Sequence, residues 1–391
     1  MNSFERFDAI LSGKKPDRMP IYHVTISCGV ASEILGYPAH TGGESLHYKE
    51  PMALIRGEEA YKTFVDKYYN DAYALYKRLK ADVVRDTWRN KWTPDEIIDT
   101  YTFAVHIGEG RRIYKYFPDT ESFGILKMEN IAPDPDEYIS GLYNQIEKMP
   151  DDRAIAGLEL SDTFDTNMKI IYADTLRMRD IAAAEMPCTA AIGGFGSMPY
   201  DIPYMMATVL CPEALAEYYY KKAKTMLPDI RWLARQGFKL ITTGCDLAGP
   251  NGPFISPQYF EQALAPAYKL LSDECKNQNV VLSHGSDGQY WEIADILVRD
   301  CGFRALNEVD DAAGMTTAAL RKRYPELLIV GCINSSTLHK KSEYEVRKET
   351  RRSLEGSEGI YYIPGVSNAI MPGTPVTNVY AMIDEIEKYK P

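Results

Sequence analysis

The chain is short of several things. No hydrophobic run approaches 18 residues, so no segment reads as a membrane-spanning helix. The first residues, Met1-Asn2-Ser3-Phe4-Glu5-Arg6-Phe7, are polar with a helical pattern and do not read as a signal peptide. Basic residues are outnumbered: 44 Lys and Arg face 55 Asp and Glu, a net charge of −11. Nucleic acid and anionic membranes need a basic face, so neither is expected as a partner. The seven Cys are odd in number and form no CxxC pair. That pattern suits a reducing cytoplasm better than a disulfide framework. There is no Gly-x-Ser-x-Gly elbow for serine hydrolysis and no phosphate-cradling glycine loop of the GxGxxG or Walker type.

What is present is a recurring unit. Val280-Val281-Leu282-Ser283-His284 is an apolar run that stops on a His, and Gly285-Ser286-Asp287-Gly288 turns at once. The same pattern closes at Thr243-Gly244-Cys245-Asp246, Asn307-Glu308-Val309-Asp310, Gly331-Cys332-Ile333-Asn334 and Pro364-Gly365-Val366-Ser367-Asn368. Eight strands are predicted: Met19–Thr25, Asp82–Trp88, Thr189–Phe195, Phe238–Gly244, Asn279–His284, Phe303–Glu308, Leu327–Ile333 and Gly359–Pro364. Helical patterns, the longest at Pro212–Gln236 and Pro257–Gln278, lie between most of the later ones. Alternation of this kind implies parallel strands joined by right-handed crossovers. The expected fold is an α/β (β/α)8 TIM barrel, one domain over residues 1–391, with an N-terminal extension and an insertion at about 90–183. An open doubly wound sheet is the alternative. Within the insertion, Tyr101–Phe117 alternates around Gly108-Glu109-Gly110 and predicts a β-hairpin.

In such a barrel, chemistry gathers at the C-terminal ends of the strands. His284 would face the mouth as a zinc ligand or proton shuttle, unless it simply packs beneath a loop. Glu308 and Cys332 end the next two strands. Neighbouring strands lie about 4.8 Å apart, so these three ends can converge on one ion. His284, Glu308 and Cys332 with an open fourth position would make a catalytic zinc site. The plain alternatives are a helix cap for Glu308 and a small buried hydrophobe for Cys332. Asp246 would orient His284, bind metal or accept a substrate proton, or else form an Asx turn. Cys245 is a further candidate ligand. Asp287 is expected to satisfy backbone N–H groups of its own turn more than to act in catalysis. His23 and Arg85 would meet polar substrate groups, and Trp88 with Trp92 would form an aromatic wall. Gly194, in Gly193-Gly194-Phe195-Gly196-Ser197, would let backbone approach a ligand closely.

Several strings resemble one superfamily, the uroporphyrinogen decarboxylase-like proteins. They are Phe7-Asp8-Ala9-Ile10-Leu11-Ser12-Gly13-Lys14-Lys15-Pro16-Asp17-Arg18-Met19-Pro20, Cys245-Asp246-Leu247 with Asn251-Gly252-Pro253-Phe254-Ile255-Ser256-Pro257, His284-Gly285-Ser286-Asp287-Gly288, and Pro372-Gly373-Thr374-Pro375. The resemblance implies one of two chemistries: cofactor-free decarboxylation of uroporphyrinogen, or zinc-assisted methyl transfer to or from a corrinoid. The decarboxylases carry an Arg-rich N-terminal motif for the substrate's propionates. After Arg18 this chain reads Met19-Pro20-Ile21-Tyr22-His23-Val24-Thr25 instead. Guanidinium forks are the natural holders of several carboxylates, so this departure counts against that substrate. The methyltransferases usually show His-x-Cys and a late Cys. Here Ser286 replaces the first Cys and Val366 the second, which breaks the usual zinc set. The segment Leu35-Gly36-Tyr37-Pro38-Ala39-His40-Thr41-Gly42-Gly43-Glu44-Ser45-Leu46 is similar to a subgroup tied to corrinoid-dependent O-demethylation.

The resemblance therefore implies a methyltransferase with an O-methyl donor, aromatic by expectation. Zinc would activate the leaving oxygen, and the Co(I) corrinoid would arrive on a separate corrinoid-binding protein. The alternatives are a decarboxylase of a smaller acid that works through Asp246, and a non-catalytic ligand-binding barrel. A homodimer is the default assembly.

Overall fold

The computed structural model describes residues 1–89, 91–131 and 134–391, so Asn90, at one edge of the expected insertion, lies outside it. Seven parallel strands form one curled sheet. In chain order they are β1 (Val84–Arg85), β2 (Cys188–Ala191), β3 (Leu240–Thr243), β4 (Val281–Gly285), β5 (Ala305–Val309), β6 (Leu328–Ile333) and β7 (Tyr362–Val366). Each pairs with the next in parallel. The eighth position belongs to Tyr22. Its N–H donates to the Pro364 carbonyl at 3.1 Å, and on its other side it forms a parallel bridge to Val83. The ring thereby closes between β7 and β1 as a TIM-barrel-like fold. The strand expected at Met19–Thr25 shrinks to that single bridge. Pro20 has no N–H to give a ladder, and Thr25–Ile26 leaves the barrel to pair with Ala369–Ile370.

Inside the ring, Tyr22, Val83, Thr189, Leu240, Thr242, Ser283, Asn307, Val330 and Ile363 surround one small cavity, so every strand position contributes. These residues identify the inward face of each strand. The outward faces pack on helices such as Pro212–Arg235 and Ala265–Asn277. Trp232 and Tyr268, both fully buried, anchor those two helices. Burying an aromatic of this size relative to exposure is worth roughly 1.5–3 kcal/mol.

The helix Ser3–Leu11 begins with a capping box between Asn2 and Glu5 and lies at the N-terminal end of the barrel, where Lys239 meets Asp8 at 2.6 Å. Arg18 and Arg6 both bind Asp82, at 2.6 and 3.1 Å, just ahead of β1. Arg18 is thus spent on the floor of the barrel, opposite the mouth.

Between β1 and β2 the chain builds a four-stranded antiparallel sheet: Glu96–Asp99, Thr102–Ile107, Gly110–Phe117 and Ser122–Glu129. The expected hairpin is its centre, with Ile107 opposite Gly110. Trp92, Phe103, Tyr114 and Phe123 cover one face, with ring centroids 5.1–6.1 Å apart. Tyr48, from helix Glu44–Ile55, stacks on Tyr116 at 4.4 Å and docks the sheet against the barrel. Trp92 therefore belongs to this layer and not to a wall of the mouth. No helix among the described residues is long and apolar enough to cross a membrane.

Candidate active site

β5 does not alternate regularly. Asn307 pairs with Val330, yet the next pair is Val309 with Gly331, so Glu308 is an extra residue in the strand. Its φ of 61° lies in the left-handed region, which costs a side-chain-bearing residue about 1–2 kcal/mol. Bulges of this kind re-aim a side chain. Here both Asn307 and Glu308 turn inward: a Cβ on Gly285 would lie 3.8 Å from Asn307 Nδ2 and 3.9 Å from Glu308 Oε2.

Glu308 meets three other strand ends. Arg85, on β1, brings Nη1 to 3.9 Å from Glu308 Oε1, and Tyr22 lies beside both. Asp246 follows β3 and accepts a hydrogen bond from the Asp287 N–H at 3.2 Å. Asp287 follows β4, and its Oδ2 accepts from the Asn368 amide beyond β7. Asp246, Asp287, Glu308 and Arg85 are all half-buried. Burial, then Glu308 and Asp246, lifts the Asp287 carboxyl to about 7. Glu308 is likewise raised by burial, an effect that Arg85 opposes and Asp246 reinforces. The inner wall of the mouth carries few side chains. Ala191 and Gly193 are exposed although they end a central strand, and Gly244 and Gly285 continue the wall.

Three expected residues face the other way. Ser283 lines the interior cavity, so its neighbour His284 points outward to the helices. The His284 ring sits edge-on against Tyr268 and Phe303, with centroids at 5.2 and 5.8 Å. Its Nε2 meets the Tyr268 hydroxyl at 3.2 Å. Complete burial pushes it down to about 3, so it stays neutral. Cys332 turns outward as well. Gly331 and Cys332 both have positive φ, and Sγ lies 3.6 Å from the Met315 carbonyl. Burial raises its thiol further above the ordinary range. His23 follows the inward Tyr22, is fully buried and is pushed down to about 4 by that burial.

The expected zinc triad of His284, Glu308 and Cys332 is therefore not assembled: one member faces in and two face out. Metal ligands must converge within about 2.0–2.3 Å of one point. Among the described residues no three His, Cys, Asp or Glu are arranged to do so. The donor set does not fit zinc. Cys245 is half-buried, and burial and Asp246 raise its thiol.

Gly194 also has a different reason from the expected one. A Cβ there would lie under 3.0 Å from the Gly244 backbone, so the glycine admits a neighbouring loop and not a ligand. Trp88 stands 69% exposed beyond Arg85, steadied by His47, whose ring lies edge-on at 4.5 Å. Buried Arg89, paired with Glu50 and Asp174, fixes the same loop. Tyr22, Ser283, Asn307 and Asn368 were not singled out from sequence. Tyr22 and Ser283 each sit one residue from a His that was, and strand parity was the missing signal.

The uroporphyrinogen decarboxylase (URO-D) family model matches residues 145–389. Among solved structures, a methyltransferase from Methanosarcina mazei is similar over 99% of this chain and 99% of its own, with 17% identity and a TM-score of 0.61. That likeness is one of fold from end to end. A B12-independent methionine synthase from Shewanella sp. W3-18-1 aligns over 85% of this chain and 90% of its own, at 11% identity and a TM-score of 0.41. No curated protein matches the sequence.

Proposed function

Because this chain belongs to the uroporphyrinogen decarboxylase family, we propose that it is a methyltransferase. It takes a methyl group from an O-methyl donor, aromatic by preference, and delivers it to the reduced corrinoid of a separate protein docked over the mouth. The observation that carries this reading is the charge of the mouth. Three carboxyl groups, Asp246, Asp287 and Glu308, face one guanidinium, Arg85, so acidic groups outnumber the cation even with Asp287 protonated. A porphyrinogen bearing several carboxylates would be repelled there. Arg18, the N-terminal candidate for holding such groups, is bound to Asp82 on the opposite side. A neutral methyl ether meets no such penalty.

The residues divide the work by chemistry. Arg85, Tyr22 and Asn307 present hydrogen-bond donors that orient the polar substituents of the donor. Ala191, Gly193 and Gly285 present little side chain against its ring. Trp88 offers an exposed flat face for the donor or the incoming partner. The corrinoid, when bound, supplies a nucleophile strong enough to take a methyl group from an ether, which no side chain here provides. The test is a methyl-transfer assay with methoxylated aromatics, with and without a reduced corrinoid protein. Turnover that requires the corrinoid protein is the expected result. Carbon dioxide released from a carboxylated substrate without corrinoid would replace this reading with decarboxylation.

A further inference from the structure

Ether cleavage leaves a problem that the site must solve. The departing oxygen is a strong base: a phenoxide has a conjugate acid of pKa about 10, and an aliphatic alkoxide is more basic still. A metal ion is one remedy, but His284 and Cys332 face away from the mouth and the remaining donors do not converge. The side chains that do converge are carboxyls.

Asp287 stands at the centre of them. It faces Asp246 from the end of β3, Glu308 and Asp310 from β5 and its following turn, and the buried phenol of Tyr290 from its own loop. The nearby cation, Arg85, is engaged with Glu308 and not with Asp287. Asp287 Oδ2 accepts from the Asn368 amide, and Oδ1 accepts no hydrogen bond among the described residues. Neighbouring carboxyls do not all ionise together, and Asp287, tied through its N–H to Asp246 and facing Glu308 with no cation against it among the described residues, holds its proton up to about 7. Gly285, two residues before it, carries no side chain where a Cβ would point towards Asn307 and Glu308.

We infer that Asp287 is the proton donor to the oxygen from which the methyl group leaves, so that a carboxylic acid supplies the electrophilic assistance in this chain. The inference rests on the methyl-transfer reading above. In the step, the carbon–oxygen bond breaks and its electron pair stays on oxygen. That oxygen takes the proton from Asp287. The methyl carbon accepts the electron pair brought by the partner's reduced corrinoid. The products are an alcohol or phenol and the Asp287 carboxylate, which the Asn368 amide steadies until water returns the proton.

The experiment is a leaving-group series with the full chain and a reduced corrinoid protein. Methyl donors run from alkyl and phenyl methyl ethers to a nitrophenyl methyl ether, whose oxygen needs little protonation. Asp287→Asn is compared with wild type, after circular dichroism establishes that it is folded. The expected result is a loss in kcat/KM of about 10²–10⁴-fold for the basic leaving groups and under about tenfold for the nitrophenyl donor. A loss of equal size across the series would make Asp287 a positioning residue and overturn the inference. Wild type alone gives a second reading. Proton donation predicts a rate that depends weakly on leaving-group basicity, and a steep dependence would also overturn it. Absence of transfer from every donor, the nitrophenyl ether included, would instead remove the methyl-transfer reading on which the inference stands.

Discussion

Gly244 and Gly285 touch backbone to backbone across the ends of β3 and β4: a Cβ on Gly244 would lie under 3.0 Å from the Gly285 carbonyl oxygen. The two glycines are not equivalent. Gly244 has a φ of 150°, whereas a Cβ on Gly285 would meet Thr242, Asn307 and Glu308 at 3.6–3.9 Å, ordinary contact. Gly244→Ala should therefore lose about 2 kcal/mol or more of stability. Gly285→Ala should fold normally but place a methyl in the mouth and cut methyl transfer by about tenfold or more. Urea titration and the transfer assay, run side by side, separate the two effects. Equal destabilisation by both would contradict this geometry.

Glu308 holds a left-handed backbone at the bulge and a carboxyl raised by burial. Both features cost stability for the sake of where the side chain points. Glu308→Gly should relieve the strained φ and the buried carboxyl together, with a gain of about 1 kcal/mol. Transfer activity should fall at least as far as in Glu308→Gln. A glycine variant less stable than wild type in thermal unfolding would refute the strain argument.

His284 contributes to stability rather than to metal binding. Its folded value of about 3 lies below the ordinary one, so the unfolded chain binds the proton more readily. Its contribution is complete above the ordinary histidine pKa and is lost as pH falls towards 3. His284→Phe keeps a ring against Tyr268 and Phe303 and removes this dependence. Moving from pH 7 to pH 5, wild type should lose roughly 2 kcal/mol relative to the variant. Denaturant titrations at the two pH values check this, and methyl transfer should survive within a few-fold. Loss of a bound metal in this variant would restore His284 as a ligand.

Arg85 tempers the carboxylates. Without its charge, Glu308 holds its proton more tightly, because the cation that opposes the effect of burial is gone. Arg85→Gln should move the limb of the kcat/KM profile set by Glu308 ionisation upward by about one pH unit. It should also lower kcat/KM, since a donor contact is lost. An unshifted limb, measured from pH 5 to 9, would mean that Arg85 does not govern the ionisation of the mouth.

Most of the barrel was legible because its strands carry local signals. The runs ending at Thr243, His284, Val309 and Ile333 are apolar, short and closed by turn residues, and each became a strand within a few residues of its expected bounds. The hairpin at Gly108-Glu109 was equally local. Arg85, Asp246 and Glu308 were found because strand ends meet at one face in a parallel barrel whatever the details.

The sequence by itself determined the approximate positions of most later barrel strands, the order of strand and helix, and the family to which they belong. It did not determine which side of each strand faces inward. A parallel strand is buried on both faces, so it reads as a continuous apolar run without the alternation that would mark the lumen. A slip of one residue exchanges the faces. Tyr22 took the place expected for His23, and Ser283 that expected for His284. The bulge that turns Glu308 inward and the positive φ that turns Cys332 outward depend on how β5 registers with β6, which no local pattern encodes. Only closure of the ring settled those choices, because each strand's register is set by its two neighbours. That closure left three carboxyls together in the mouth and the imidazole and thiol outside it.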